Sequence, residues 1–273
     1  MDIEHVFSAA SRTIFDVLSE AHGCQIPAYQ RGYSWDSTNV TRLLEDATVG
    51  LASLSDDGDA VRFLGSIIAI NEPAPRPAGW PRVLLSIVDG QQRLCTIVIL
   101  NILIHDRISR LVRDLEDSES EVAVALVEEA SGFLNELTNT FQFEFRRDGP
   151  IQRLYPKITR ALDDNWARTP ADARYESPIA RFIWAYISHR NGRTPEAEFA
   201  YEPRNEAGAV IPGHETTAAV INFLGAELDR LATASHSQFS VPDVAALRTD
   251  ETFVRELWQE APPPGLADDL PPS

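Results

Sequence analysis

The 273-residue chain is nearly without lysine: Lys157 is the sole one, and every other member of its 24 basic residues is arginine. A phosphate-binding Walker loop needs Gly directly before its Lys. Here Pro156 stands there, so that motif is excluded. Cysteine is scarce as well. Cys24 and Cys95 lie in unlike settings, which excludes a disulfide framework and a Cys-based zinc site and fits a reducing compartment. Long apolar runs are missing; the longest, Thr96 to Leu100, stops at Asn101, far short of a membrane span. Net positive charge is missing too. With a formal net charge of −17 and a pI near 4.7, the surface as a whole is no nucleic-acid footprint, and a DNA contact must use a local basic patch or a specific pocket. Asp2 and Glu4 open the chain with no basic region, unlike a signal peptide. The chain reads as soluble and cytoplasmic, with no membrane partner. At 44% hydrophobic residues it can bury a sizeable core.

Catalytic signatures are also thin. The histidines His5, His22, His105, His189, His214 and His236 are scattered, with no His-Glu-x-x-His and no Cys/His metal spacing. No Gly-x-Ser-x-Gly elbow occurs. His189-Arg190-Asn191 has the look of a nuclease fragment but lacks a second catalytic context, and reads as a helix end.

What is present centres on Val88-Asp89-Gly90-Gln91-Gln92-Arg93. The β-branched run Val83 to Val88 leads in and a long helical pattern from Leu94 leads out, so the reading is strand, tight turn, helix. Gly90 gives the turn its freedom, and the amides after it open a helix N-terminus, where anions bind. A mere connection needs no two carboxamides and a guanidinium. Arg93 can fork onto phosphate oxygens, and Asp89 can hold a metal ion or orient a water. The plainer alternative is that Asp89 caps the helix and Arg93 pairs with it.

Along the chain, helical spacing predicts a short helix over Thr13 to Ala21, ended by Gly23. In Pro27-Ala28-Tyr29-Gln30-Arg31-Gly32-Tyr33-Ser34-Trp35, aromatics interleave with Gln and Arg. Such a set can stack a base or line a pocket for a modified one; alternatively it is an edge strand whose aromatics bury. Asp36-Ser37 cap a helix to about Leu54. Ser55 to Asp59 is a turn without calcium-loop spacing. Phe63 to Ile70 reads as a buried strand with a bulge or close backbone approach at Gly65-Ser66. Pro73 to Pro81 is a loop joining it antiparallel to the next strand. The helix after Arg93 continues to about Leu115 as a spine, and Glu121 to Leu137 packs back on it. Phe141 to Phe145 alternates like a strand. Arg146, Arg147, Arg153, Lys157 and Arg160 then form the densest basic cluster, with Asp163 and Asp164 as available partners. Since surface ion pairs add little stability, a phosphate-facing role competes. Lys157 is otherwise a chance survivor of the arginine bias. Helices are expected over Ser177 to His189, Thr216 to Ser235 and weakly Val241 to Gln259. Thr194 to Pro212 is a polar loop, and Ala261 to Ser273 has linker composition.

Ile26-Pro-x-Tyr29-Gln30-Arg31-x-Tyr33-x-Trp35, Phe63-Leu64-Gly65-Ser66-Ile67 and Val88-Asp89-Gly90-Gln91-Gln92-Arg93-Leu94 together resemble the N-terminal domain of GmrSD-type modification-dependent restriction enzymes, closest to the phosphorothioate-sensing SspE branch. The resemblance covers about Arg12 to Asp164. It implies an α+β, predominantly helical fold: a small ParB/sulfiredoxin-like mixed β core with a long spine helix and a C-terminal helical part. The implied layout is a core over 1–165, a helical subdomain over 166–260 and a proline-rich linker over 261–273, leading to a nuclease domain with a His-Asn-His-type site that this chain lacks. It further implies nucleoside triphosphate hydrolysis, with GTP and Mg2+ as the preferred reading, and sensing of modified double-stranded DNA in an anti-phage restriction system. On this reading Asp89, Gln91, Gln92 and Arg93 are catalytic, with Asp89 also the metal ligand. Arg31, Gly90, Arg93 and Lys157 bind the nucleotide. Pro27, Tyr29, Gln30, Tyr33 and Trp35 face the modified group, and Arg146, Arg147, Arg153 and Arg160 hold the DNA backbone. The partners are the DNA, the nuclease domain of the same polypeptide and, as an open expectation, a second copy of the chain. The rival is a non-enzymatic DNA- or partner-binding module in which the Asp-Gly-Gln-Gln-Arg turn is structural.

Overall fold

The computed structural model describes residues 10–20, 23–56, 62–72, 84–118, 120–146, 152–166, 174–192, 198–205 and 207–239. In chain order these form α1 (Ile14–Glu20), β1 (Cys24–Ile26), α2 (Ser37–Asp56), β2 (Ile68–Glu72), β3 (Leu84–Asp89), α3 (Gln91–Leu115), α4 (Glu121–Phe141), β4 (Gln142–Arg146), β5 (Gln152–Pro156), β6 (Ile158–Arg160), β7 (Asp164–Asn165), β8 (Arg174–Tyr175), α5 (Pro178–Arg190) and α6 (Glu215–Phe239). The fold is α+β, dominated by helix.

One four-stranded mixed sheet, in the order β2-β3-β1-β6, organises the N-terminal half. β1 lies parallel to both β3 and β6, and β2 closes the edge antiparallel to β3. Two small hairpin-like pairs, β4-β5 and β7-β8, accompany it. The parallel arrangement matters for the site. It brings the ends of β1, β3 and β6 together, and the motif residues follow those ends.

α3 is the spine. Its 25 residues span about 37 Å at 1.5 Å per residue. Leu94, Val98, Ile99 and Ile102 recur at helical spacing and are fully or almost fully buried. They meet Cys24, Ile26, Ile87 and Ile158 from the sheet, Phe182 and Ile183 from α5, and Val220 and Leu224 from α6 in one core cluster. The core therefore runs across residue 165, and α5 and α6 share it with the sheet. Ser120 caps α4 through Ala123 N, and Asp36 Oδ1 accepts from Asn39 N to start α2. Among the described residues no helix is long and apolar enough to cross a membrane.

The expected buried strand over Phe63 to Ile70 is corrected. The strand is Ile68–Glu72, on the sheet edge, with Ile68 42% and Ile70 52% exposed. Gly65, at φ +113, breaks extended backbone before it, and an edge strand leaves one face to solvent. β1 is central, not an edge strand, and the aromatics after it lie in the following loop. β6, β7 and β8 were not foreseen: two or three residues show no periodicity. The expected segments at Val241 to Gln259, Ala261 to Ser273 and Pro73 to Pro81, and Arg147 with the basic turn around it, lie outside the described residues.

Candidate functional site at the Asp-Gly-Gln-Gln-Arg turn

β3 runs into α3 through Gly90, whose φ is 83. A Cβ there would lie 2.8 Å from Ser66 O and 3.1 Å from Ile67 Cγ1, so only glycine fits. Gly90 is also the N-cap, and it offers no side-chain cap to α3. Asp89 is exposed and does not cap the helix. Among the described residues no ion pair joins Asp89 to Arg93. Arg93 instead lies over the backbone of the other close-approach segment: its Nη1 donates to Ser66 O at 3.4 Å, and a Cβ on Gly65 would fall 2.4 Å from that nitrogen. The close approach expected at Gly65-Ser66 is thus a seat for the Arg93 guanidinium.

The two carboxamides turn instead toward the loop after β1, since residue 93 projects about 100° and 200° around α3 from residues 92 and 91. Both are buried, at 6% and 7% exposure. Gln92 Nε2 donates to Gly32 O at 3.0 Å while its Oε1 accepts from Ser34 N at 2.8 Å. Gln91 Nε2 donates to Arg31 O at 3.1 Å and to Gln30 Oε1 at 3.4 Å. Gln30 Nε2 donates back to Val88 O at 2.6 Å. Thr96 Oγ1 donates to Gln92 O at 2.9 Å, which leaves its oxygen to accept from Tyr33 Oη at 2.7 Å. Two sequence motifs 60 residues apart are therefore one hydrogen-bonded unit.

Arg160, at the end of β6, supports the same loop. Its Nη2 donates to Gln30 O at 2.9 Å and Ala28 O at 3.5 Å, and its Nη1 pairs with Asp163. Asp164 accepts from Arg160 N, Glu176 N, Ser177 N and Ser177 Oγ. Burial pushes its carboxyl above the usual range, against those hydrogen bonds. This junction sets the start of α5 beside the turn.

Between these elements lies a cavity of about 130 Å³. Its lining includes Arg31, Tyr33, Gln91, Gln92 and Arg160, with Ile26, Cys95, Ile158 and Ile179 as an apolar wall and Ser177 and Gly213 on the far side. Ser177, Ile179 and Gly213 had no sequence signal, because the segments that carry them show no motif. Asp89 and Arg93 do not line the cavity; Arg93 lies over the Gly65-Ser66 segment instead.

The remaining sequence-predicted residues distribute unevenly. Tyr29 projects outward, 74% exposed, whereas Gln30 points inward and Pro27 is buried. Tyr33 and Trp35 pack against the main core. Lys157 is 2% exposed beside Cys24 and does not line the cavity. Burial lowers its amine to about 8, with the Cys24 thiol opposing the shift, and burial raises that thiol to about 11. Arg160 is part of the loop support rather than of a free basic surface. Arg147 and the side chains of Arg146 and Arg153 lie outside the described part; within the β4-β5 pair the backbone of Arg146 is opposite Gln152 and that of Arg153 opposite Phe145. No group of three or more His, Cys, Asp or Glu among the described residues is placed to hold a metal ion.

No curated protein matches the chain. A family model, that of the GmrSD restriction endonuclease N-terminal domain, matches residues 14–194. The match spans all three motif stretches and runs on through α5, past the Asp164 limit of the motif resemblance. The chain belongs to the GmrSD restriction endonuclease N-terminal domain family.

Proposed function

We infer that this chain is the nucleotide-hydrolysing, DNA-sensing part of a restriction system, controlling a nuclease domain of the same polypeptide. The family is the N-terminal part of a restriction endonuclease, which makes a DNA-linked role the starting point. The observation that carries the nucleotide reading is the turn itself. A helix start without a side-chain cap, with Asp89 exposed beside it and Arg93 held over Gly65, gathers backbone donors, a guanidinium and one carboxylate at one turn. Helix N-termini and guanidinium groups hold phosphate, and phosphoryl transfer needs positioning and charge stabilisation above all. Arg31, exposed on the cavity rim and without an ion-pair partner among the described residues, adds a second positive group on the cavity side of the turn.

A single carboxylate fits Mg2+ only where the phosphates supply most of the remaining ligands, as is usual for nucleotide-bound magnesium. Asp89 is the residue that would hold it, and the ion would neutralise charge on the transferred phosphoryl group. Gln91 and Gln92 take a different part from the one the motif alone suggests: they hold the 30–34 loop against α3 and so place Arg31. Tyr29, the one strongly exposed aromatic of its motif, is the residue offered to DNA. Phosphorothioated DNA is the preferred target and GTP the preferred nucleotide. On this reading the mixed sheet is the ParB/sulfiredoxin-like core, and the chain works inside the cell.

The clamp made by Gln91 and Gln92 favours one second reading, a binding module in which the turn is structural. Phosphate release with each nucleoside triphosphate, with and without modified DNA, separates the two. The binding module releases none.

A further inference from the structure

Two residues that line the cavity behind the turn each carry a buried polar atom without a partner. Gln91 Nε2 is committed to Arg31 O and Gln30 Oε1, which fixes the orientation of the amide. Its Oε1 is left buried and unpaired. Arg160 uses Nη1 and Nη2 on Asp163, Gln30 and Ala28, and its Nε is also buried and unpaired. Both residues line the cavity. One orphan is an acceptor and the other a donor, and each buried polar atom left so costs free energy that a ligand would recover.

The chemistry of the pair selects the ligand. A phosphoryl group at neutral pH offers acceptors only and leaves Gln91 Oε1 unpaired. A ligand must bring an N–H or O–H donor next to an acceptor. The volume of about 130 Å³ is close to that of an apolar cavity that takes one benzene ring, roughly 150 Å³, and too small for a whole nucleotide. The walls contributed by Ile26, Ile158 and Ile179 suit the flat face of a ring. A six-membered heterocycle with a donor and an acceptor on one edge meets all of these conditions, and nucleobases carry such edges.

We propose that this cavity is a base-recognition subsite: the six-membered ring of a nucleobase enters it, donates to Gln91 Oε1 and accepts from Arg160 Nε, and leaves the phosphates outside near Arg31. This rests on the nucleotide reading above for its source, a free nucleotide; the same chemistry belongs to a base flipped out of DNA. Arg31 then acts at the boundary, with its carbonyl holding Gln91 and its guanidinium facing the sugar-phosphate side.

The test is titration calorimetry of the full chain with adenosine, guanosine, cytidine and uridine, with their triphosphates, with tripolyphosphate, and with nucleosides whose edge donor is methylated. These are N6,N6-dimethyladenosine, 1,N2,N2-trimethylguanosine, N4,N4-dimethylcytidine and 3-methyluridine. At least one plain nucleoside should bind without phosphates, and its methylated counterpart should bind about tenfold to a hundredfold more weakly. A second arm uses duplexes with one mismatched, easily flipped base, plain or methylated in the same way. Methylation sensitivity confined to this arm supports the subsite and assigns the base to DNA. Tripolyphosphate competing as well as any nucleotide, or affinity indifferent to methylation in both arms, overturns the proposal and leaves ordered water as the partner of both atoms. Nucleotide turnover with no methylation effect sinks the subsite alone. Methylation-sensitive binding with no turnover sinks the hydrolysis reading alone.

Discussion

Gly65 and Arg93 are in contact across the start of α3: the guanidinium of Arg93 lies where a side chain on Gly65 would begin, its Nη1 2.4 Å from a Cβ built there. At φ +113 the Gly65 backbone is itself one that L side chains rarely adopt. Gly65→Ala should therefore displace Arg93 and cost about 1–2 kcal/mol in backbone strain. Arg93→Ala should cost little stability. Both should lose nucleotide turnover to a similar extent, and the double variant should be no worse than Arg93→Ala. Turnover in Gly65→Ala equal to wild type would show that the seat of Arg93 is irrelevant.

Gln92 joins the two motifs through both ends of its amide. Gln92→Ala leaves Gly32 O and Ser34 N without partners in a part-buried setting, and should destabilise by about 2–4 kcal/mol. Gln92→Glu keeps the acceptor for Ser34 N but sets a buried carboxylate against Gly32 O, so at neutral pH it should melt no higher than Gln92→Ala. A catalytic carboxamide would show the opposite pattern, with intact melting and lost turnover in Gln92→Ala.

Tyr29 separates sensing from stability. Because it is 74% exposed, Tyr29→Ala should change stability by no more than about 0.5 kcal/mol. Basal turnover should persist while stimulation by modified DNA is lost. Tyr33→Phe, which removes the bond to Thr96, should cost about 1 kcal/mol instead. Undiminished stimulation in Tyr29→Ala would remove this residue from DNA recognition.

His105 gives the fold an acid limit. It is 1% exposed, with its ring nitrogens 2.7 Å from Tyr186 Oη and 3.1 Å from Thr138 Oγ1. Burial, with the nearby charge of Arg190, lowers its pKa to about 3. Between that value and the ordinary histidine value near 6.5 the unfolded chain binds the extra proton and the folded chain does not. Stability should thus be complete above pH 6.5 and fall as pH drops toward 3, by up to about 1.4 kcal/mol per pH unit from this group. Denaturant titrations at several pH values should show this slope in wild type and a shallower one in His105→Gln. Equal slopes in the two proteins would mean that His105 titrates normally.

Long amphipathic stretches were legible in the sequence. α2, α4, α5 and α6 each begin within one residue of the expected start, and α3 three residues before it, because apolar spacing marks them, with the Asp36 cap an added sign at α2. The strand-turn-helix at Gly90 and the close approach at Gly65 were legible for the same reason: glycine, where φ must be positive, leaves a local mark. The short strands β6, β7 and β8 were not, since pairing partners rather than local pattern define them. Within the site, adjacency in the motif misled. Asp89, Gln91, Gln92 and Arg93 read as one constellation, yet Asp89 ends β3 exposed, Arg93 goes to the Gly65-Ser66 segment and Gln91 and Gln92 go to the 30–34 loop. The burial of Lys157 was equally invisible, because a single lysine among arginines signals nothing about the interior. The cavity residues from α5 and from Gly213 come from segments with no motif, and only the fold brings them in.

The central claim is that this turn hydrolyses nucleoside triphosphates under the control of modified DNA, and phosphate release measures it directly. Wild-type protein should release phosphate from at least one nucleoside triphosphate, faster with phosphorothioated than with plain duplex. Asp89→Ala and Arg93→Ala should release none while melting at the wild-type temperature, since neither side chain is buried. No release by the wild type with any triphosphate, or wild-type rates in both variants, would contradict the account.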